Sequence, residues 1–483
     1  MTRKRETTPA PGLLEAFAQE FDPLFSRWNQ RECFRRYLEG LLLPAERNKT
    51  LTGLANTAPG IGAQEARAQN LQWFLSESNW DEGLINERRC KVIGQTAAMV
   101  PNTEGVLIID ETGDLKDGSH TAHVGRQYLG NVGKLGNGVV SVSSHWADEH
   151  IYYPLQVTPY TPSSWFEQGK KDSRFRTKLA IAIELVKQAL AWKWPFKAVV
   201  ADSLYGDDGG VKASFHKLGV GFVMALKPSH SWWHVEGTPG SLKEIAQIAA
   251  SHAWQAVERT FRDGHQEIWW ALEIEAGPYG RRKPERAVVV TTDPDTLPEL
   301  TTWYLVTNLP VKNKLASTST HGHGHGHGSR TGASLEEIVR LYGLRNWVEQ
   351  GYKQVKQTLG WSQYQVRNER AILRHWILVY CAFTFCWWQA AQQSSASAQN
   401  WFADPAQQPK QRTSDTPAIL KKKPDSAGQN RSIVAKRTST RPKLAGASDH
   451  AQALLACILT SAATVHAPIA TRLTPTRQRH QRL

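Results

Sequence analysis

The chain of 483 residues predicts a mixed α/β protein. A helical N-terminal segment comes first, then an α/β layer interrupted by a mainly β stretch, then a polar tail. Three observations carry this. Two short runs of strand-forming residues, VLII and AVVA, each lead into an aspartate, Asp110 and Asp202. Residues 334 to 360 have the spacing of an amphipathic helix with Glu349 on its polar side. Between them, from about 228 to 333, the sequence turns β-rich and unusually rich in tryptophan.

Residues 13 to about 95 carry apolar side chains three and four apart in LLEAFAQEFDPLFSRW, RECFRRYLEGLLLP and AQNLQWFLSES. Pro44, Pro59 and Gly60 separate these candidate helices. Arg31, Arg35, Arg36, Arg47 and Lys49 give the segment a basic component. It reads equally as a DNA-binding domain and as a packing subdomain.

Val106 to Ile109 is a short buried strand, and Asp110 stands where it ends. The string HVGRQYLGNVGKLGNG reads as Gly-rich turns, with Lys116, Arg126 and Lys134 as cations in and beside it. Two strand candidates follow, VVSVSSHWA and HIYYPLQVTPY, and then a long helix, SRFRTKLAIAIELVKQALAW. FKAVVA is a second buried strand with Asp202 at its end, followed by a short helix (GVKASFHKLG) and a strand (VGFVMALK). EIWWALEIEA, RAVVVTTD and TWYLVTNLP then suggest the β insertion. Its tryptophans, among them Trp232, Trp233, Trp254, Trp269 and Trp270, suit core packing or base stacking. The tract HGHGHGHG (His321, His323, His325, His327) sits among Ser, Thr and Gly and reads as a flexible linker with adventitious metal affinity.

The helix from Ser334 opens with a capping box, Ser334 and Glu337, and stops at Gly360. Tyr342, Arg345, Glu349 and Lys356 fall at offsets 0, 3, 7 and 14. At about 100° per residue they project to roughly 0°, 300°, 340° and 320°. Leu344, Trp347, Val348, Val355 and Leu359 form a separate apolar stripe. A carboxylate between two cations and a phenol suits a metal ion beside a phosphate backbone; the alternative is a solvated charged face.

The net charge is +14, but fourteen Lys and Arg against three Asp place +11 of it beyond Pro405. That tail is rich in Gln, Ser, Thr and Pro and reads as disordered, with a possible helix at AQALLACILTSAA. Nucleic-acid binding elsewhere must come from local arrangement rather than total charge. Five scattered cysteines fit a reducing cytosol, and no apolar leader follows the N-terminal methionine. WILVYCAFTFCWW is too short to span a bilayer and reads as a buried helix.

Asp110 and Asp202 at strand ends, with Glu349 on a helix, form the donor set that two-metal phosphoryl transfer requires, since hard divalent ions prefer carboxylate oxygens. The chain here resembles a known group. Asp110-x-Thr112, Ala201-Asp202 with Tyr205-Gly206, and Tyr342-x2-Arg345-x3-Glu349-x6-Lys356 resemble the DDE transposases of bacterial insertion sequences that bear the YREK signature. Those belong to the insertion-sequence-four superfamily. DETGDLKDGSHTAHVGRQYLGNVGKLGNG is similar to the first-carboxylate motif of the seven-hundred-and-one-like subgroup.

The resemblance spans roughly 13 to 390. It implies an RNase H-like catalytic domain (96–227 and 334–394) interrupted by the β insertion (228–333), after a helical DNA-binding domain (1–95) and before the tail (395–483). It implies catalytic, metal-holding roles for Asp110, Asp202 and Glu349, with Mg²⁺ as cofactor and Mn²⁺ as substitute. DNA contacts are implied for Tyr342, Arg345 and Lys356, and expected at Lys116, Arg126 and Lys134. The expected partners are terminal inverted repeats, target DNA and a second copy in a synaptic homodimer, in the bacterial cytoplasm and on the nucleoid, without a membrane. Glu111 departs from the subgroup, which commonly has Asp there, as does the basic tail. An RNase H-like nuclease and a domesticated, non-catalytic DNA-binding protein are the competing readings.

Overall fold

The computed structural model describes residues 9–10, 12–44, 47–130, 132–233, 239–261, 264–274, 285–312 and 332–401. The His-Gly tract, Cys457 and the tail from 405 onward, with its possible helix, lie outside the described residues.

Five helices open the chain: α1 (Leu13–Gln19), α2 (Trp28–Leu42), α3 (Leu51–Leu54), α4 (Ala66–Ser76) and α5 (Glu82–Gln95). α1, α2, α4 and α5 pack on α12 (Glu369–Trp401), the last described helix, and α3 packs on α2 and α4. Trp376, Leu378, Tyr380, Phe383 and Phe385 of α12 are buried, so the run WILVYCAFTFCWW is a core helix. It is the one described helix long and apolar enough to cross a membrane. Arg374 donates to the Leu75 carbonyl (2.8 Å), and Arg89 of α5 to Thr384 Oγ1 (3.0 Å). Buried guanidiniums thus tie the first and last helices together.

Of the basic residues singled out in this layer, Arg35 and Lys49 are buried, Arg31 and Arg47 half-buried and Arg36 exposed. Arg35 is buried between Glu15 and Asp22, each at 2.7 Å, and Arg36 pairs with Glu32 at 2.8 Å. Lys49 is buried with its ammonium on the Leu41 and Leu43 carbonyls. Arg31 and Arg47 donate to the Phe25 and Thr52 carbonyls. Desolvated cations must find acceptors, and the buried Arg35 and Lys49 found them within the fold.

The centre is a ten-stranded mixed sheet. Its strands are β1 (Val106–Leu115), β2 (Gly125–Leu129), β3 (Lys134–Ala147), β4 (Tyr152–Tyr160), β5 (Ala198–Ala201), β6 (Phe222–Ala225), β9 (Gln255–Thr260), β10 (Gln266–Ile274), β11 (Arg286–Thr291) and β12 (Thr302–Thr307). The short β7 (Ser231–Trp233) and β8 (Pro239–Ser241) pair separately. The order is β2-β3-β1-β5-β6-β12-β11-β10-β9, and β4 also pairs β3. Ser143 pairs both Asp110 and Val157, so β4 lies on the edge of β3 away from β1. β1, β5 and β6 are mutually parallel; β12 joins β6 antiparallel, so the β-rich region continues the same sheet. The remaining helices are α6 (Lys178–Ala191), α7 (Ser203–Gly206), α8 (Gly209–Lys217), α9 (Leu242–Ile248), α10 (Leu335–Gly343) and α11 (Asn346–Gln357).

Three local expectations are corrected. The stretch read as Gly-rich turns forms β2 and the start of β3, because Leu129 fills the space over Gly113, Gly136 and Gly138 that side chains would otherwise occupy. Asp110 is mid-strand: β1 runs on to Leu115 along β3. Its parallel pairing with β5, however, stops at Ile108, so Asp110 lies just past the point where the two strands part. Finally, the helix from Ser334 breaks into α10 and α11 at Leu344–Arg345, where Arg345 and Trp347 N–H groups bond three residues back. The apolar stripe survives the break, with Leu344, Val348, Val355 and Leu359 buried.

Candidate active site

Asp202 follows β5 directly and caps α7, its carboxylate accepting from the Leu204 N–H at 3.0 Å. The turn is possible because position 206 is glycine: a Cβ there would stand 1.9 Å from the Ala225 carbonyl oxygen of β6. Tyr205 beside it is buried, with no hydrogen-bond partner for its hydroxyl. Burial, with the charges of Glu111, Asp110 and Asp202, raises its pKa.

Asp110 is buried, and Arg345 at the head of α11 is its nearest cation, Nη2 to Oδ1 3.4 Å. Nη1 of the same guanidinium lies 3.7 Å from Glu349 Oε1. Glu349 is open to solvent, its side chain 68% exposed. Burial pushes the Asp110 carboxyl up to about 7, against the pull of Arg345, and Asp202 adds to the rise. Burial opposes the charge on Arg345, but Asp110, Tyr342, Asp202 and Glu349 together hold it protonated. Tyr342 packs edge-on against Trp303 (5.0 Å) and is pushed up to about 12, chiefly by burial. Asp110, Asp202 and Glu349 therefore share one electrostatic neighbourhood. Among the described residues no three acidic, His or Cys side chains close to metal-binding distance. The guanidinium lies between two of the three carboxylates.

The remaining expected contacts divide. Lys356 lies 2.8 Å from Asp114 Oδ1 and donates to the Gly113 carbonyl, also at 2.8 Å. Lys116 donates to the Ser362 carbonyl (3.1 Å) and sits over the Tyr364 ring (3.5 Å), and burial lowers its pKa. Each fastens the end of β1 to the segment after Glu349. Arg126 and Lys134 are exposed on β2 and β3. Glu111, on the opposite face from Asp110, pairs with Lys178 at 2.8 Å. Of the tryptophans, Trp232, Trp254 and Trp269 are buried and Trp270 half-buried.

A polar chain behind Asp110 escaped sequence reasoning. Ser143, the register partner of Asp110, bonds His145 Nε2 (2.8 Å) and the Tyr352 hydroxyl (2.6 Å). All three are buried, and burial brings His145 down to about 3. The signal was there: alternation in VVSVSSHWA sets Ser141, Ser143 and His145 on one face, where buried polar groups need partners. A cavity of about 1260 Å³ is lined in part by residues of α10 and α11. It contains none of the three carboxylates, and its acidic and basic side chains nearly balance.

The comparisons bear on this site. Residues 20–257, which include both aspartates, match the family described as DDE superfamily endonuclease. The chain is also 32% identical over 369 residues to the probable transposase for insertion sequence element IS701 of Microchaete diplosiphon. That match covers 76% of this chain and 85% of the relative. The chain belongs to the DDE transposases of insertion sequences. As a member the transposase is a DNA-acting enzyme that depends on divalent metal. Its site fits that dependence: the donors are carboxylate oxygens, and desolvation of Asp110 disfavours a bare negative charge that a cation would stabilise.

Proposed function

We propose that the transposase cuts the ends of its own element and joins the freed 3′-OH to target DNA, with Asp110, Asp202 and Glu349 as catalytic, metal-holding carboxylates. The observation that carries this is the shared guanidinium: Arg345 reaches Asp110 and Glu349 together while Asp202 acts on the same pocket. Oxygen-only donors favour Mg²⁺, with Mn²⁺ as substitute. When bound, the metal pair supplies activation of the attacking oxygen and stabilisation of the leaving one. Asp110, fixed by β1, and Asp202, fixed by its cap on α7, are the rigid members. Glu349, exposed on α11, is the adjustable one. Arg345, already balancing two carboxylates, is placed to meet a phosphate oxygen as the site fills.

On this reading β4, β3, β1, β5 and β6 form the RNase H-like frame, residues 228–333 its insertion and residues 1–95 the N-terminal helical domain. Tyr342, Arg345, Glu349 and Lys356 are then the YREK signature of the seven-hundred-and-one-like subgroup. Arg126 and Lys134 touch DNA directly, whereas Lys116 and Lys356 act by holding β1 against α11 and the residues after it. Synapsis of two terminal repeats requires a homodimer.

The test uses the full chain, Mg²⁺, and DNA carrying the sequences that flank the gene. The expected products are cuts at the element ends and joined product in a supercoiled target. Hydrolysis without joining would favour a nuclease, and binding without either a non-catalytic DNA-binding protein.

A further inference from the structure

The hairpin of β2 and β3 carries a surface that the catalytic site does not use. Pairing register sets side chains on faces: Asp110 opposite Ser143, Asp114 opposite Val139, Arg126 opposite Asn137 and Tyr128 opposite Leu135. With period-2 alternation, Arg126, Tyr128 and Leu135 stand on the same sheet face as Asp110 and Asp114. Leu135 is eight residues along β3 from the partner of Asp110, roughly 26 Å at about 3.3 Å per residue. Closer in, Lys356 lies on Asp114 and Lys116 on Tyr364; farther out, Tyr128 and Leu135 are 55% and 59% exposed. Two large apolar side chains paired across an edge hairpin and left open to water mark a contact surface.

The charge pattern selects the partner. No Asp or Glu occurs from Gly118 to Ala147, while Arg126 stands beside the apolar pair on its own face and Lys134, paired with Leu129, on the other; both are exposed and without a carboxylate within salt-bridge distance among the described residues. The hairpin is also braced from the opposite face, where Leu129 packs over Gly113, Gly136 and Gly138. A braced apolar tip beside a cation matches the chemistry of a side chain pushed between base pairs, with the cation on a neighbouring phosphate.

We propose that this hairpin is a DNA wedge: Tyr128 and Leu135 insert at an unstacked step of duplex DNA, and Arg126 holds the backbone beside it. This deepens the transposase reading by assigning where the DNA is bent, about eight base pairs from the carboxylates at about 3.4 Å each.

The experiment uses the full chain in EDTA, so it needs neither cleavage nor an element sequence and is decided independently of catalysis. Two labelled 30-base-pair duplexes are compared by fluorescence anisotropy, one fully paired and one with a central two-base mismatch. A wedge binds pre-unstacked DNA more tightly, by roughly fivefold or more for one aromatic–base stack. The ratio of affinities is the readout, because tail charge acts equally on both probes. Tyr128→Ala with Leu135→Ala is expected to erase the ratio, and Tyr128→Phe to keep it. Arg126→Ala is expected to weaken both probes alike and flatten the salt slope by about one counterion. An unchanged ratio in the folded Tyr128→Ala, Leu135→Ala variant would overturn the proposal. So would a change of oligomeric state in that variant with DNA preference intact, which would make the hairpin a surface between copies of the chain.

Discussion

Replacing Lys356 by alanine separates two roles for this side chain. Its ammonium lies 2.8 Å from Asp114 Oδ1, and the Asp114 side chain is only 2% exposed. Removing one member of a buried ion pair leaves a desolvated charge and costs about 3–5 kcal/mol. The lower end applies here, because Lys356 keeps some exposure and Lys116 still contributes its field at Asp114. A loss of about 3 kcal/mol is therefore expected, read as a fall in the urea midpoint followed by tryptophan fluorescence. Neutralising both partners, Lys356→Met with Asp114→Asn, is expected to restore most of it, since the pair as a whole contributes little net energy. A single-variant loss below about 1 kcal/mol, in the range of an exposed pair, would refute the buried clamp. If the salt slope of DNA binding also flattened by about one counterion, Lys356 would be a phosphate contact instead.

Two further predictions concern the same pocket. Because Asp110 has a raised carboxyl pKa in the fold, the native state binds more protons than the unfolded chain between about 4 and 7, and stability falls as pH rises through that window. Asp110→Asn removes this slope, so in metal-free buffer at pH 8 it is expected to be more stable than the wild type, by about 4 kcal/mol at most; equal urea midpoints at pH 8 would contradict the desolvated carboxyl. Tyr352→Phe deletes the 2.6 Å bond that ties α11 to β3 behind Asp110. It is expected to cost about 1 kcal/mol of stability, and to slow DNA cleavage more than it weakens DNA binding; equal losses in both would mean a purely structural bond.

Much of the site was legible because it is written in local signals. A strand ending in Asp202, a tyrosine and glycine behind it, and an amphipathic stretch bearing Glu349 each need only a few neighbouring residues to be read. What remained hidden depends on pairs far apart in the chain. Nothing local says that Lys356 meets Asp114, or that Lys116 reaches the carbonyls of Ser362 and Tyr364. The helix break at Leu344–Arg345 has no glycine or proline at its joint, only Gly343 just before it, packed against the Arg259 guanidinium. The glycines at 113, 136 and 138 read as turns until Leu129 from the neighbouring strand is seen to cover them. The arginines of the first helices read equally as a DNA-binding surface or as packing groups because charge is visible in sequence and its partners are not.

The three-carboxylate site is tested most directly by Glu349→Gln, measured in parallel for binding and for Mg²⁺-dependent cleavage of an element end, after circular dichroism shows the variant folded. Glu349 is exposed, so the substitution leaves the fold without a gap to fill. The amide keeps the size of the side chain but loses the charge needed beside a divalent ion. The predicted result is end binding close to wild type, with cleavage and strand transfer lost in both Mg²⁺ and Mn²⁺. Cleavage at the wild-type rate by the folded variant would remove Glu349 from the active site and contradict the account.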